Sequence, residues 1–419
     1  MKKKKILPNK PLLAILTIAA FFGIFLSHQA RSAKRNYSDF HCYYLAGERF
    51  LQKQDIYVIK DTQAAEFRYA PVFAMAMSGL ALMPEGKADT FWLTLNFLLL
   101  IISLSLIGKL IPLEMFNNRQ KWLVYGLTLA LTARFILNTL DSGQVNILIF
   151  WAIVSGAYLI SKKKDTPGSA LIAFACLIKY TPLLFIPYFL IRKKFKTALA
   201  VVLFVALYLL LPALLVGLKD NFAYLKGMIP QLTNSTILEP MTILDPKNQS
   251  LYSAINRIFT NCILYFYAPV MPFQNLNLSP QAVKTTYLAV CAVLLAAIAF
   301  LPKNLRRQEI NQKTLNIDYA MLLICMILFN LNAWMHNYML MGLGYFIILR
   351  FIAANGRKAW GMILLLLASF ALNLITLKSI TGKTLAYKLH FYSPMVLSAL
   401  LVFAGLLRIK FDGQKEFSA

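Results

Sequence analysis

The chain has 419 residues, of which 59% are hydrophobic and 14% charged, with a formal net charge of +26. This composition, with several windows of about 20 residues almost free of charge, excludes a single soluble core and specifies a polytopic helical membrane protein. The positive excess does not indicate nucleic acid, because the lysines and arginines cluster at the ends of apolar runs, where they set topology and meet anionic lipid.

The chain starts with Lys2-Lys3-Lys4-Lys5 and Lys10, followed by an apolar run from Pro11 to about Leu26. His28 stands where a cleavage site needs a small residue, so the run is read as a retained signal anchor with its N-terminus in the cytoplasm. Residues 28–90 then form a long first extracytoplasmic loop. It contains Ser38-Asp39-Phe40-His41, and Asp39 is the first acidic residue of the chain. An aspartate there either caps a helix opened by Cys42-Tyr43-Tyr44 or does acid–base chemistry at the membrane surface. Apolar runs at 91–110, 121–139 and 144–161 follow. Lys109, Arg119 and Lys121, and then Lys162-Lys163-Lys164, place their connections inside, which leaves Asp141-Ser142-Gly143-Gln144 outside with Asp39.

The run from Pro167 to Ile191 has basic residues at both ends and is too short for two full spans. Pro182 removes a backbone donor and disfavours helix in the residue before it, so Lys179-Tyr180-Thr181-Pro182 is expected to be the bend of a membrane hairpin. A lysine at that depth either lines a wet cavity or snorkels to the surface. Residues 196–216 return outward, and 217–283 form a second large extracytoplasmic loop with a partly apolar piece near 251–270. A span at 284–301 leads to Lys303, Arg306, Arg307 and Lys313 inside. Runs at 317–333, 338–352, 359–377 and 388–408 complete the bundle, with Arg350, Arg357, Lys358, Arg408, Lys410 and Lys415 as cytoplasmic charges. The expected fold is all-α, one domain over 1–419, with about ten full spans plus the hairpin, or about twelve helices.

This topology gathers Asp39, Asp141, Gln144, Asn248, Ser250, Arg257, Trp334, His336, Asn337 and His390 at outer ends. Arg134 lies about one and a half turns inside the outer end of its span. A carboxylate, histidines and several cations on one face suit chemistry on a substrate carried by a lipid phosphate. The cysteines Cys42, Cys176, Cys262, Cys291 and Cys325 are scattered, so neither a disulfide framework nor a zinc site is expected. No paired carboxylates or Asp-x-Asp motif is present to hold a divalent ion and a nucleotide sugar, so no metal or other cofactor is expected.

Several short motifs fall in a familiar order. They are Asp39 with Tyr43, Ala46, Gly47 and Asp55-Ile56-Tyr57; Phe67-Arg68-Tyr69-Ala70-Pro71; Gly143-Gln144-Val145-Asn146; Lys179-Tyr180-Thr181-Pro182; Asn248-Gln249-Ser250 with Arg257; and Trp334-Met335-His336. In this pattern, spread over about residues 36–340, the chain resembles the bacterial polyprenol-phosphate-mannose-dependent mannosyltransferases, glycosyltransferase family 87 of the GT-C superfamily. Ala70 departs from it, since the family often has a second proline there.

The resemblance implies inverting transfer of a hexose, mannose in the family, from a polyprenyl-phosphate donor to a hydroxyl of a lipid-linked or glycan acceptor. The reaction is expected at the outer face of the cytoplasmic membrane. Asp39 suits the base, since an aspartate near its reference pKa of about 3.9 is ionised at neutral pH. Lys179, Arg257, Arg134 and His336 are the candidates for the donor phosphate. Gln144, Asn146, Tyr69, Asn248, Ser250 and Trp334 are the candidates for sugar or acceptor. Gln144 and Asn146 equally suit a helix cap, and Trp334 with His336 equally suits an interfacial anchor. A lipid-linked sugar flippase would use the broken helix and intramembrane cations as a path, and an O-antigen ligase or polymerase would differ mainly in donor.

Overall fold

Apolar segments in a bilayer must satisfy their own backbone, which leaves helices as the economical solution for a chain punctuated by Pro, Gly and Lys. The computed structural model describes residue 23 and residues 39–57, 66–233, 240–261, 274–299 and 312–412, and no strand occurs among them. The expected signal anchor at 11–26 lies, apart from Gly23, outside the described residues, as does Cys262.

The first extracytoplasmic interval is more ordered than its polarity suggests. It holds α1 (Asp39–Leu51) and α2 (Pro71–Ala81), and α3 (Glu85–Leu110) already begins within it. Helices α1 and α2 pack tightly: a Cβ on Gly47 would lie 2.6 Å from the Met77 carbonyl carbon. Tyr43, Phe67, Tyr69, Phe73 and Trp92 form an aromatic cluster under them, with centroids 5.2–6.4 Å apart.

Next come α4 (Asn118–Ser142), α5 (Asn146–Ser161) and α6 (Asp165–Ile178). An Asn117–Gln120 capping box starts α4, with each side chain accepting from the other's backbone N–H. The α5–α6 turn is a Schellman closure, with Lys164 N–H donating to Leu159 O and Lys163 N–H to Ile160 O, and Lys163 at φ 61°. Gly156 and Gly168 let the two helices touch, since a Cβ on either would lie 2.8 Å from the other's carbonyl oxygen.

The expected break stands at Lys179, which is extended (φ −136°, ψ 137°) between α6 and a 3-10 turn, Thr181–Leu184, that leads into α7 (Phe185–Ile191). The two arms return to one end. Thr197, at the start of α8 (Phe195–Leu210), donates its hydroxyl to Asp165 at 3.1 Å and accepts from Ser169 at its carbonyl, and both partners lie in the first turns of α6. Lys193 repeats the Lys163 turn at φ 57°.

The second half comprises α9 (Leu218–Thr233), α10 (Leu251–Phe259), α11 (Pro280–Ala299), α12 (Gln312–Leu328), α13 (Gly342–Asn355), α14 (Trp360–Leu374), α15 (Lys378–Phe391) and α16 (Pro394–Asp412). A 3-10 turn, Met335–Met341, precedes α13. Six described segments are long and apolar enough to cross a membrane, at 85–110, 118–142, 195–216, 280–299, 335–374 and 394–411. The fifth is broken at Gly356 (φ 55°, ψ −128°), where α13 ends. The expected runs at 144–161 and 317–333 are realised as shorter apolar helices, Asn146–Ser161 and Thr314–Leu328. The run expected at 388–408 begins later, at Pro394, because α15 occupies 378–391.

Arg350 and Lys410, which the sequence assigns to the cytoplasm, and Arg192, in the basic group that follows the 167–191 run, are inside the protein. Arg192 and Lys410 both bind Asp318, with Nη2–Oδ2 at 2.7 Å and Nζ–Oδ1 at 2.9 Å, and all three side chains are almost fully buried. Arg192 and Lys410 also donate to Ile298 O at the end of α11, and Tyr188 donates its hydroxyl to Asp318. Arg350 is buried and donates Nε to Pro112 O at 2.9 Å. The Asp318 network ties the ends of α7, α11 and α16 to the start of α12.

Candidate active site

At the opposite end of α12 and α16, four chain breaks meet. The first is the C-terminus of α4. Gly143 sits at φ 70°, its N–H donates to Leu140 O, and Gln144 N–H donates to Thr139 O. This left-handed cap turns the chain so that Gln144 and Asn146 emerge at the start of α5. Its carbonyl accepts from Trp92 Nε1 at 2.8 Å, and a Cβ there would lie 2.7 Å from Phe40 Cβ. Glycine is therefore required twice, for its φ and for the close approach of α1.

That approach brings Asp39 to the site. Asp39 is the first residue of α1, so it is a helix-start aspartate, and its carboxylate also accepts a hydrogen bond from the Gln144 side chain within range of the Lys179 charge. Burial holds its carboxyl above the usual aspartate range, while the Gln144 bond and the Lys179 ammonium pull it partly back.

The second break is Lys179. Its ammonium donates to Asn146 Oδ1 at 2.6 Å and Asn337 Oδ1 at 2.7 Å. Two of its three hydrogens are thus used on neutral amides. The nearby negative charge acting on it is Asp39. The third break is the Met335–Met341 turn. Its start, Trp334, accepts at its carbonyl from the Asn337 N–H and side chain. His336 lies within range of the Lys179 charge, and its carbonyl lies 3.4 Å from the Thr139 hydroxyl. The fourth is the segment before α2, where Tyr69 hydrogen-bonds Tyr43 at 2.9 Å and feels the Asp39 charge, and Ala70 N–H donates to Leu177 O next to the Lys179 break.

The structure thus assembles Asp39, Tyr69, Gln144, Asn146, Lys179, His336 and Asn337. Gln144 Oε1 and Asn146 Nδ2 are buried without a hydrogen-bond partner among the described residues, which leaves one acceptor and one donor beside the Asp39–Lys179 pair. Unsatisfied buried polar atoms are costly and tolerated where a ligand completes them. Sequence reading passed over Asn337 as a site residue, although it directly follows His336.

Other candidates are placed elsewhere. Asn248 donates to Thr242 O and Leu331 O, and its Oδ1 accepts from Ser250 N–H and Ala333 N–H. Ser250 donates to Leu331 O and caps α10 by accepting from Ser253 N–H. Both are fully buried, and their bonds fasten residues 331–333, which lead into the His336 turn. Trp334 contributes a carbonyl to that turn. Arg257 is also fully buried, donating to Ile243 O, Asp245 O, Phe391 O and Ser393 Oγ. Arg134 donates to Asn373 O, Thr376 Oγ1 and Thr376 O, and no charge interaction links it to Asp39.

The arrangement offers a half-buried carboxylate, a cation fixed near it by two amides, a histidine, and unused hydrogen-bonding capacity beside them. It can accept a proton, stabilise an anion and orient hydroxyls. Residues 67–331, more than half of the chain, match the family model described as glycosyltransferase family 87. No curated protein matches the chain at a significant level.

Proposed function

Since the chain belongs to glycosyltransferase family 87 and carries several helices able to cross a bilayer, we propose that this membrane glycosyltransferase transfers a hexose, mannose by resemblance, from a polyprenyl-phosphate donor to an acceptor hydroxyl. Reaction at the outer face of the cytoplasmic membrane follows from the charge pattern of the loops. The observation that carries the reading is the Lys179 charge acting on the Asp39 carboxylate at a helix break, beside the unpartnered Gln144 Oε1 and Asn146 Nδ2.

In the proposed step the acceptor hydroxyl gives its proton to the Asp39 carboxylate. The oxygen attacks the anomeric carbon from the face opposite the phosphate, and the bond from that carbon to the phosphate oxygen breaks. Polyprenyl phosphate leaves with the electron pair, and the transferred sugar is inverted. Lys179, with His336 beside it, stabilises the charge that develops on the leaving group, a role worth roughly 10²–10³ in turnover per donor at comparable sites. Gln144 orients the carboxylate, and Asn146 and Tyr69 are positioned for sugar or acceptor hydroxyls.

The test is transfer of labelled hexose by the purified protein in nanodiscs, supplied either as the polyprenyl phosphate or as the nucleotide sugar. Transfer from the lipid donor alone, with inverted anomeric configuration in the product, is expected. Transfer from the nucleotide sugar alone would overturn the donor assignment.

A further inference from the structure

Of the six segments able to cross a bilayer, 195–216 is the least enclosed by the rest of the protein. Leu199, Leu203, Leu207, Leu210 and Leu214 are exposed along it at spacings of three or four, which makes one lipid-facing stripe. The stripe does not end with the span. Leu214, Leu215, Leu218 and Phe222 are each more than half exposed, so it continues across Gly217 (φ 89°) into α9.

Helix α9 is unsuited to spanning, since its 16 residues include Lys219, Asp220, Lys226 and Pro230. It also turns sharply from the axis of α8. Asn221 Nδ2 donates to Leu209 O at 3.1 Å, whereas one straight helix would hold these two residues about 18 Å apart. At about 100° per residue, α9 divides into three sectors. Leu218 and Phe222 form the apolar sector. Lys219 and Lys226, both exposed, lie together about 60–80° to one side of it. Asn221 and Tyr224, both buried, lie about 80–140° to the other side. The buried side rests on α1 and the residues after it. Tyr224 packs on Phe50 of α1 with centroids 5.9 Å apart, and a Cβ on Gly227 would lie 2.9 Å from the Tyr57 ring. Tyr57 in turn donates its hydroxyl to Tyr69 O at 3.0 Å. These contacts join α9 to the helix that starts at Asp39 and to the segment that holds Tyr69.

We propose that α9 lies in the plane of the membrane on anionic phospholipid, and that this seat fixes α1 and Tyr69 relative to the bilayer surface. Leu218 and Phe222 enter the acyl chains beside the exposed leucines of α8, and Lys219 and Lys226 meet the lipid phosphates above them. Continuity argues for lipid, because the stripe that faces the bilayer along α8 is the one that runs on through Phe222. Charge argues for anionic lipid, because both lysines fall on one flank of the stripe, the side that a helix at the acyl boundary presents to the headgroups. The seat is independent of which sugar donor the Asp39 centre uses.

The test uses the whole protein in nanodiscs of mixed phosphatidylglycerol and phosphatidylcholine, with the photoprobe p-benzoylphenylalanine placed at the exposed Phe222, whose shape it resembles. Irradiation and mass spectrometry should give phospholipid adducts on α9, several-fold in favour of phosphatidylglycerol, and Lys219→Gln with Lys226→Gln should remove that preference. A cross-link to a second copy or to another segment of this chain would overturn the lipid seat. Equal adducts from the two lipids would overturn the part given to the lysines. Hydrogen exchange reads the coupling: Leu218→Glu with Phe222→Glu should speed amide exchange in α1 about tenfold or more while α13 keeps its rates. Phe222→Gln, the milder change, is read the same way should the double variant fail to assemble. Wild-type exchange in α1 would overturn the link between the bilayer and the helix that carries Asp39.

Discussion

Replacing Lys179 by methionine tests how the centre is wired, because the ammonium is bound to two amides while its charge acts on the Asp39 carboxylate. The change removes bonds of 2.6 and 2.7 Å, each a charge-assisted bond worth about 1.5–3 kcal/mol, and leaves two buried amide oxygens unpaired. Asn146 and Asn337 are 1% and 4% exposed, so water cannot readily replace the lost donor. A stability loss on the order of 2–5 kcal/mol is expected, short of preventing assembly of the bundle. The larger effect is on catalysis. Asp39 loses the cation that lowers its pKa while the burial that raises it remains, so ionisation moves to higher pH. Activity requires the ionised base and therefore lies above that pKa, so the acid limb of the pH–rate profile should shift upward. Loss of leaving-group stabilisation should lower turnover by a further 10²–10³-fold or so even at alkaline pH. The assay is hexose transfer from the polyprenyl-phosphate donor across pH, with folding followed by thermal unfolding in detergent. A variant with an unmoved acid limb and an unchanged donor KM would refute the reasoning and leave Lys179 as a structural cation.

Three further substitutions separate positioning from binding and folding. Gly143→Ala places a methyl 2.7 Å from Phe40 Cβ at φ 70°, so the start of α1 should shift and turnover should fall roughly 10²-fold, as displacements of about 1 Å commonly cause; wild-type turnover would contradict this. Arg257→Gln should lower thermal stability by about 2–4 kcal/mol, since four acceptors lose a buried donor, with donor KM unchanged; a raised KM at unchanged stability would instead return Arg257 to the donor phosphate. Asp318→Asn should cost about 3–5 kcal/mol by leaving Arg192 and Lys410 buried without their carboxylate, and an unchanged unfolding temperature would argue against the network.

Features with a local cause were legible in the sequence. A charged residue and a proline in the middle of an apolar run mark the break at Lys179, and Asp-Ser-Gly marks the turn at Gly143. Features that depend on distant partners were not. Arg192 and Lys410 look like loop charges until Asp318, more than 90 residues from either, is brought between them. In the polar interval at 28–90 the helix start at Asp39 was legible as a cap, but α2 is hidden because its aromatic residues pack on those of α1 and on Trp92, without the long apolar run that marks a span. Hydropathy also miscounts where helices are short or broken, as at Asn146–Ser161 and Gly356. In the site, Asn248 and Ser250 share with Gln144 and Asn146 the side chains suited to sugars. Only the fold shows that the bonds of the first pair hold a loop, while the second pair keeps an unpartnered atom each.

The central claim is that Asp39 takes the acceptor proton, and Asp39→Asn measures it most directly. The substitution keeps the shape and an oxygen able to accept from Gln144 but removes the charge. Single-turnover transfer from the polyprenyl-phosphate donor should therefore slow by roughly 10²-fold or more. Donor affinity, measured separately, should be retained or improved, because a negative charge near the phosphate is gone. The acid limb of the wild-type pH profile, set by a carboxyl held above the usual aspartate range, should be absent from the residual activity. Near-normal turnover with the same acid limb in Asp39→Asn would contradict the account.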